Sequence, residues 1–203
     1  MKPEFHPRRR VLVAAAGLAW LAGCSRQREA TPPAAASTTT SAASTTTSPR
    51  QAFETALRGT GFVVGQATSA RQALVFFDPQ CPHCAALWKA SQPLLDRIRM
   101  VWIPIAFVSP QSAPQGAMLL ATSDPQALMD LHESRMTAGQ GGLEVQGQPA
   151  ADLVARIKAN TELLQSLGAD SVPHLIYSAG ADGPFGVVPG GLPTAELAKV
   201  MGL

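Results

Sequence analysis

The sequence predicts an α/β fold: a central mixed β-sheet flanked by helices, with a helical insertion at about residues 114–168. Three observations carry this. Ala73-Leu-Val-Phe-Phe77 is a short apolar run that breaks at Asp78-Pro79 and leads into the helix-like Ala85-Ala-Leu-Trp-Lys-Ala90. Met100 to Val108 is a second apolar run on the far side of that helix. After a long helical stretch, Val172–Tyr177 and Phe185–Val188 follow as two strands around the turn Gly180–Gly183.

Met1 to Arg10 is basic, with Arg8-Arg9-Arg10 together, and Val11 to Ala22 is apolar. That run falls short of the roughly 20 residues a membrane-spanning helix needs. The layout predicts a secretory signal peptide over 1–23. Leu21-Ala22-Gly23-Cys24 matches the bacterial lipobox, so Cys24 is the expected lipidation site; an ordinary signal with a chance cysteine is the alternative. Arg8-Arg9-Arg10-Val11-Leu12 loosely resembles a twin-arginine signal, and a plain basic n-region is the reading adopted. Residues 24–50 are almost all Ser, Thr, Ala and Pro, too poor in large apolar side chains to offset the entropy of ordering. They read as a disordered tether that spans roughly 28 Å as a flexible coil.

The folded domain is expected over 51–203. Gln51–Arg58 reads as a short helix ended by Gly59 and Gly61, and Phe62–Val64 as an edge strand. Residues 73–78 form a buried strand and 85–99 a helix that Pro93 kinks or breaks. In the strand Met100–Val108, Pro104 implies a bulge or an edge. Ser109–Pro114 is a loop. Helices follow over 117–122, from Pro125 to about Met136 with Asp124 as N-cap, and over 150–167, which Gly168 caps. Pro193–Met201 is a terminal helix with Thr194 as a candidate cap. The order of strand, helix, strand, helices, hairpin and helix is that of a thioredoxin-like fold with a helical insertion.

The chemistry lies in Cys81-Pro82-His83-Cys84, placed where a strand hands over to a helix. Cysteines there point to thiol–disulfide exchange. Cys81 falls at the helix N-terminus, where free N–H groups and the dipole favour a thiolate, the nucleophile of that reaction. Cys84, one turn on, is placed to resolve the mixed disulfide. Pro82 suits the first turn, and His83 can add positive charge or a hydrogen bond beside Cys81. A zinc site needs two more ligands, and His132 and His174 lack ligand spacing. A purely structural disulfide here closes too short a loop to stabilise much. Ser171-Val172-Pro173-His174 opens a strand with an X-Pro bond, where a cis peptide is tolerated. In a thioredoxin-like fold such a loop faces the C-x-x-C and presents backbone groups to the incoming chain. Catalytic candidates are therefore Cys81, Cys84, His83 and Pro173, and substrate-binding candidates are Val172, Pro82 and His174.

Phe77-Asp-Pro-Gln-Cys-Pro-His-Cys84 with Trp88, Ile157-Lys-Ala-Asn160, Leu167-Gly168 and Gly190-Gly-Leu-Pro193 resemble the catalytic domain of the periplasmic disulfide proteins DsbC and DsbG. The resemblance covers residues 51–203. It implies periplasmic thiol–disulfide exchange through Cys81 and Cys84, with Pro173 as the cis-proline. The chain departs from that pattern twice. The tether stands where those proteins carry a dimerisation domain, which makes a monomer the expectation. Cys-Pro-His-Cys and Val-Pro are closer to DsbA. Oxidase, isomerase and reductase directions all stay open.

A net charge of +2 carries no nucleic-acid signature, and no repeats or phosphate-binding glycine motifs occur. Of three cysteines, Cys24 is assigned to lipid, which leaves only the redox pair. The expected partners are cysteine-bearing client proteins, a membrane redox partner and, through the lipid, the membrane itself; no cofactor is called for. Ser25 after Cys24, with no aspartate there, favours the outer membrane. Two other readings stay open: a copper-carrying module built on Cys81, Cys84 and His83, and a partner-binding lipoprotein without catalysis.

Overall fold

A computed structural model of the chain describes residues 47–203. The expected signal peptide, Cys24 and the expected tether up to residue 46 lie outside the described residues. None of the described helices is long and apolar enough to cross a membrane.

The domain begins earlier than the sequence suggests, because helix α1 covers Pro49–Ala56 rather than starting at Gln51. Ser48 and Gln51 form a reciprocal capping box, and Pro49 occupies the first turn. Arg50 stacks over the Phe185 ring at 4.2 Å. Ser48 to Arg50 are thus domain, not tether.

Five strands form one mixed sheet in the order β1-β3-β2-β4-β5, with β1 Phe62–Gly65, β2 Arg71–Phe77, β3 Arg99–Pro104, β4 His174–Ala179 and β5 Phe185–Pro189. β2 and β3 are parallel, joined by the crossover helix α2 (Pro82–Ser91), and every other pairing is antiparallel. Alternation along β2 sends side chains to two cores. Ala73, Val75 and Phe77 join Cys84, Leu87, Trp88, Met100 and Trp102 under α2 and the terminal helix α6 (Thr194–Val200). Leu74 and Phe76 join Ile103, Ile176, Phe53 and Leu164 under α1 and α5 (Ala151–Ser166). Phe62, Phe77, Trp102 and Trp88 pack edge to face in sequence, with centroids 5.1–6.0 Å apart.

The insertion is α3 (Ser112–Ala121), α4 (Pro125–Thr137) and α5. Asp124 caps α4 through the Ala127 N–H, and Gly168 takes φ +76 after α5. Several boundaries move. Pro93 ends α2 at Ser91, and a single 3-10 turn over Gln92–Leu94 replaces the rest of the expected helix. β3 stops at Pro104, which pairs with Phe77 of β2 alone and so lies at a local edge rather than a bulge. β1 pairs only as far as Trp102, so nothing on that side asks Pro104 for an N–H. Asn160 reaches across to the Pro104 carbonyl and to both backbone groups of Thr60. Thr194 does not cap α6; its hydroxyl donates to the Ala90 carbonyl at 2.8 Å, tying α6 to α2.

Candidate redox site

β2 and β3 run parallel, so the turns that leave them lie at the same end of the sheet, where open α/β sheets place their sites. Cys81 is the N-cap of α2 in extended conformation, and Pro82 opens the helix. The Cys81 carbonyl accepts from the Cys84 and Ala85 N–H groups. Antiparallel pairing of Phe76 with His174 brings the start of β4 to this end as well. The Val172–Pro173 bond is cis, and the Val172 carbonyl oxygen lies 3.5 Å from Cys81 Sγ. The Gly190 N–H donates to the Pro173 carbonyl at 2.8 Å and ties this loop to the end of β5.

The two thiols are held in opposite states. A hydrogen bond from the Cys84 side chain does most to lower the Cys81 pKa, to about 6. Burial opposes the shift; the backbone N–H groups of Cys84 and His83, and then the charge of His83, add to it. Cys84 is fully buried, and desolvation together with its bond to Cys81 holds its proton far above the ordinary thiol range. Cys81 is thus a ready thiolate and Cys84 a proton-bearing partner.

The turn that delivers Cys81 is rigidly anchored. Asp78, wholly buried, accepts from the Gln80, Phe107 and Val108 N–H groups and the Ser112 hydroxyl at 2.6–2.9 Å. Gln80 donates to Gln115 Oε1 and the Gly141 carbonyl, and Gln115 donates to the Gly141 and Leu143 carbonyls. His132 accepts the Leu143 N–H on Nδ1, so Nε2 carries the proton and donates to the Pro79 carbonyl at 2.7 Å. Burial lowers its pKa and keeps it neutral. A Cβ at Gly142, which has φ +81, falls 2.4 Å from this imidazole, so glycine is needed there.

Two clefts flank α2. One, of about 370 Å³, is lined by His83, Ala86, Leu87, Ala90 and Gly191–Pro193. The other, of about 500 Å³, separates α2 from α4 and is lined by Pro82, Ala85, Trp88, Lys89, Asp130, Glu133 and neighbours. The Trp88 indole donates to Asp130 Oδ1 across it at 2.8 Å.

Among the sequence candidates, Cys81, Cys84, Val172 and Pro173 meet, and Pro82 and His83 sit exposed on the rim. His174 is not brought to the dithiol. Its register opposite Phe76 puts its side chain on the α1/α5 face of the sheet, away from Cys84. Burial lowers its pKa, and its Nδ1 has no partner. Sequence reasoning missed the anchoring role of Asp78, the Gln80–Gln115–His132 strap and Glu133. Asp78 had a signal, being the only acid beside the cysteine pair at the end of an apolar strand. The others come from the insertion and have no local mark. Among the described residues no three His, Cys, Asp or Glu side chains are grouped to hold a metal ion.

Residues 62–202 match the thioredoxin-like domain family. The chain is 29% identical over 144 residues to the thiol:disulfide interchange protein DsbG of Pseudomonas aeruginosa, covering 68% of this chain and 54% of that one. It thus spans about half the length of that relative. The fold is similar to the catalytic domain of Proteus mirabilis ScsC, with TM-score 0.60 and 18% identity over 75% of this chain and 96% of that one. It is also similar to a periplasmic thioredoxin-like protein of Salmonella enterica serovar Typhimurium, with TM-score 0.59 and 19% identity over 74% of this chain and 94% of that one.

Proposed function

Because this chain belongs to the thioredoxin-like domain family, we propose that it is a thiol–disulfide oxidoreductase of the bacterial cell envelope. The observation that carries this is the division of labour between the thiols. Cys81, acidic and facing the Val172 carbonyl, sits beside Cys84, which is buried and keeps its proton. The likeness to the interchange protein DsbG supports the same reading.

In this function Cys81 thiolate attacks a client disulfide, the client sulfur leaves as a thiolate, and a mixed disulfide forms. The client backbone lies along Val172, which is half-buried just before β4 with its carbonyl facing Cys81 Sγ. Cys84 then gives its proton to the client thiolate and attacks Cys81 Sγ; the second client sulfur leaves as a thiolate that solvent protonates, and Cys81 and Cys84 are left joined. The reverse sequence donates a disulfide. Pro82 and His83, exposed beside Cys81, border the client. Stabilising the Cys81 thiolate stabilises the reduced pair and raises its potential.

The measurement that tests the function and assigns its direction is the reduction potential of the Cys81–Cys84 pair. A value near the roughly −120 mV of a strong oxidant makes the chain a disulfide donor, and one near about −270 mV a reductant. Failure of the pair to exchange with glutathione at all refutes the reading.

The domain acts in the periplasm, tethered by lipid on Cys24, with the outer membrane as its address and a membrane protein as its redox partner. The lipobox Leu21–Cys24 and the following Ser25 support this. It works as a monomer on cysteine-bearing clients close to the membrane, where confinement raises local concentration. Cys24→Ser should release it into the soluble periplasmic fraction; persistence in the membrane pellet overturns the anchor. Sedimentation should show a monomer, and a stable dimer reopens isomerisation in a cleft between subunits.

A further inference from the structure

α4 buries two of its side chains, Met129 and His132. An apolar residue would fill the second position at lower cost, because a buried polar ring needs partners for both nitrogens. His132 has both, and each ties it to a different part of the chain. Nε2–H donates to the Pro79 carbonyl, in the turn that carries Cys81. Nδ1 accepts the N–H of Leu143, in segment 138–150 between α4 and α5. That segment holds no helix or strand, and its Gly139, Gly141, Gly142 and Gly147 take positive φ. Its attachment therefore rests on a few contacts. Leu143 is buried in the same apolar cluster as Cys81 and Cys84. The Gly141 carbonyl accepts from Gln80 and Gln115, and the Leu143 carbonyl accepts from Gln115.

This arrangement accepts one protonation state of the ring. A backbone N–H only donates, so Nδ1 has to remain a bare acceptor. An imidazolium keeps the bond to Pro79 but sets a second N–H against that of Leu143. Gly142 lies against the same edge of the ring, where even a Cβ would fall 2.4 Å from Cε1, which leaves the ring no room to turn aside. Neighbouring charges offer Nδ1 no partner. The Asp78 carboxylate in the β2–α2 turn favours an imidazolium, but four other donors already occupy its oxygens. α3 and β1, packed on α4, carry no ionisable side chain. On α2, Cys81 and Cys84 stand at the start and Lys89 is exposed. On α4 and the segment, Asp130 takes the Trp88 indole, Glu133 lines the cleft toward α2, and Arg135 pairs with Glu144.

We propose that His132 is an acid-released latch: the neutral ring pins segment 138–150 onto the turn that carries Cys81, and uptake of one solvent proton at Nδ1 lets the segment go. Release takes the Gly141 carbonyl from Gln80, the neighbour of Cys81, and opens the place of Leu143 to water. His132 touches no reacting atom; it is a positioning residue for the turn. The latch goes beyond the thiol–disulfide reading and does not depend on it. Burial holds the His132 pKa below the usual histidine range, as a ring kept neutral requires. Once the segment is released, the ring regains an ordinary pKa near about 6.5. The closed state thus binds fewer protons than the open one, so closure is strongest above that pH and weakens as pH falls below it.

Amide hydrogen exchange on the full chain tests this, followed by NMR at about pH 7.5 and 5.5 and corrected for the intrinsic rate at each pH. With an open-state imidazole near 6.5 and a closed state that takes up no proton, the opening equilibrium rises about tenfold between these pH values. Protection of the Leu143 amide should fall by that factor, while Val75 in the centre of β2 keeps its own. Unchanged protection at Leu143 overturns the latch. An equal fall at Val75 also overturns it, since the whole domain would then be loosening. His132→Gln supplies an amide that donates and accepts but does not titrate, so the Leu143 profile should become flat. A wild-type slope in that variant overturns the assignment to His132. Where the variant fails to fold, the wild-type ring decides. Its nitrogen shifts at pH 7.5 should show the Nε2–H tautomer, and its protonation should coincide with the loss of Leu143 protection. A ring that is protonated while Leu143 stays protected overturns the proposal. None of these readouts uses disulfide exchange, so their outcome stands whether or not the Cys81–Cys84 pair exchanges with glutathione.

Discussion

The acidity of Cys81 is predicted to depend on the Cys84 S–H more than on His83. Cys84→Ala deletes the donor that contributes most to the low pKa, about 6 in the wild type. A hydrogen bond to a charged group contributes about 1.5–3 kcal/mol, and one pKa unit corresponds to about 1.4 kcal/mol. The variant should therefore titrate about 1–2 units higher, near pH 7–8. At pH 6 the thiolate fraction falls from about one half to about 1–10%. The more basic thiolate is also the better nucleophile, with a Brønsted slope of about 0.45, so the alkylation rate at pH 6 falls only about two- to sixfold. The assay is the pH profile of iodoacetamide labelling, with thiolate absorbance as a check on the midpoint. Cys84→Ser keeps an O–H donor in the same place and should stay within about half a unit of wild type. A Cys84→Ala midpoint that remains near 6, or equal shifts for Ala and Ser, refutes the assignment of the shift to this hydrogen bond.

Three further outcomes are expected. In the reduced native protein Cys81 should be alkylated at pH 6 while Cys84 stays unlabelled until denaturant is added, as mass mapping of the modified peptide will show; earlier labelling of Cys84 reverses their roles. His83→Ala should raise the Cys81 midpoint by less than about one unit, because the exposed imidazole adds the smallest contribution; the potential then falls by less than about 30 mV, and an unchanged or higher value removes His83 from the mechanism. Asp78→Ala strands three part-buried backbone N–H groups and the buried Ser112 hydroxyl; at the low end of about 1–3 kcal/mol for each group left unpaired, since water reaches the part-buried ones, it should cost on the order of 4 kcal/mol in denaturant unfolding. A cost below about 1 kcal/mol would mean that water replaces the carboxylate.

Local signals in the sequence carried the fold and the centre of the site. The apolar run Ala73–Phe77 and the Cys-Pro-His-Cys that follows it report their own structure, because strand burial and a helix N-terminus depend on neighbours in the chain. Asp124 before Pro125 and Gly168 after α5 mark helix ends for the same reason. What stayed out of reach depends on partners distant in the chain. Pro104 was read against a lone strand, whereas its surroundings are set by where β1 stops and by Asn160 from α5. His174 looked like a site residue by adjacency to Pro173, but register opposite Phe76 turns it to the other face of the sheet. Gln115, His132 and Glu133 belong to an insertion whose composition says only that it is helical. Packing α3 and α4 over the dithiol turn makes two of them an anchor for the turn and places the third in the cleft that α4 forms with Pro82 and Ala85 of α2. Sequence alone thus marked Cys81 and Cys84 as the candidate thiols at a helix start, since a thiol pair on a helix start is a local arrangement. Only tertiary structure decided how acidic and how shielded each thiol is, because burial and hydrogen bonding are properties of the assembled core.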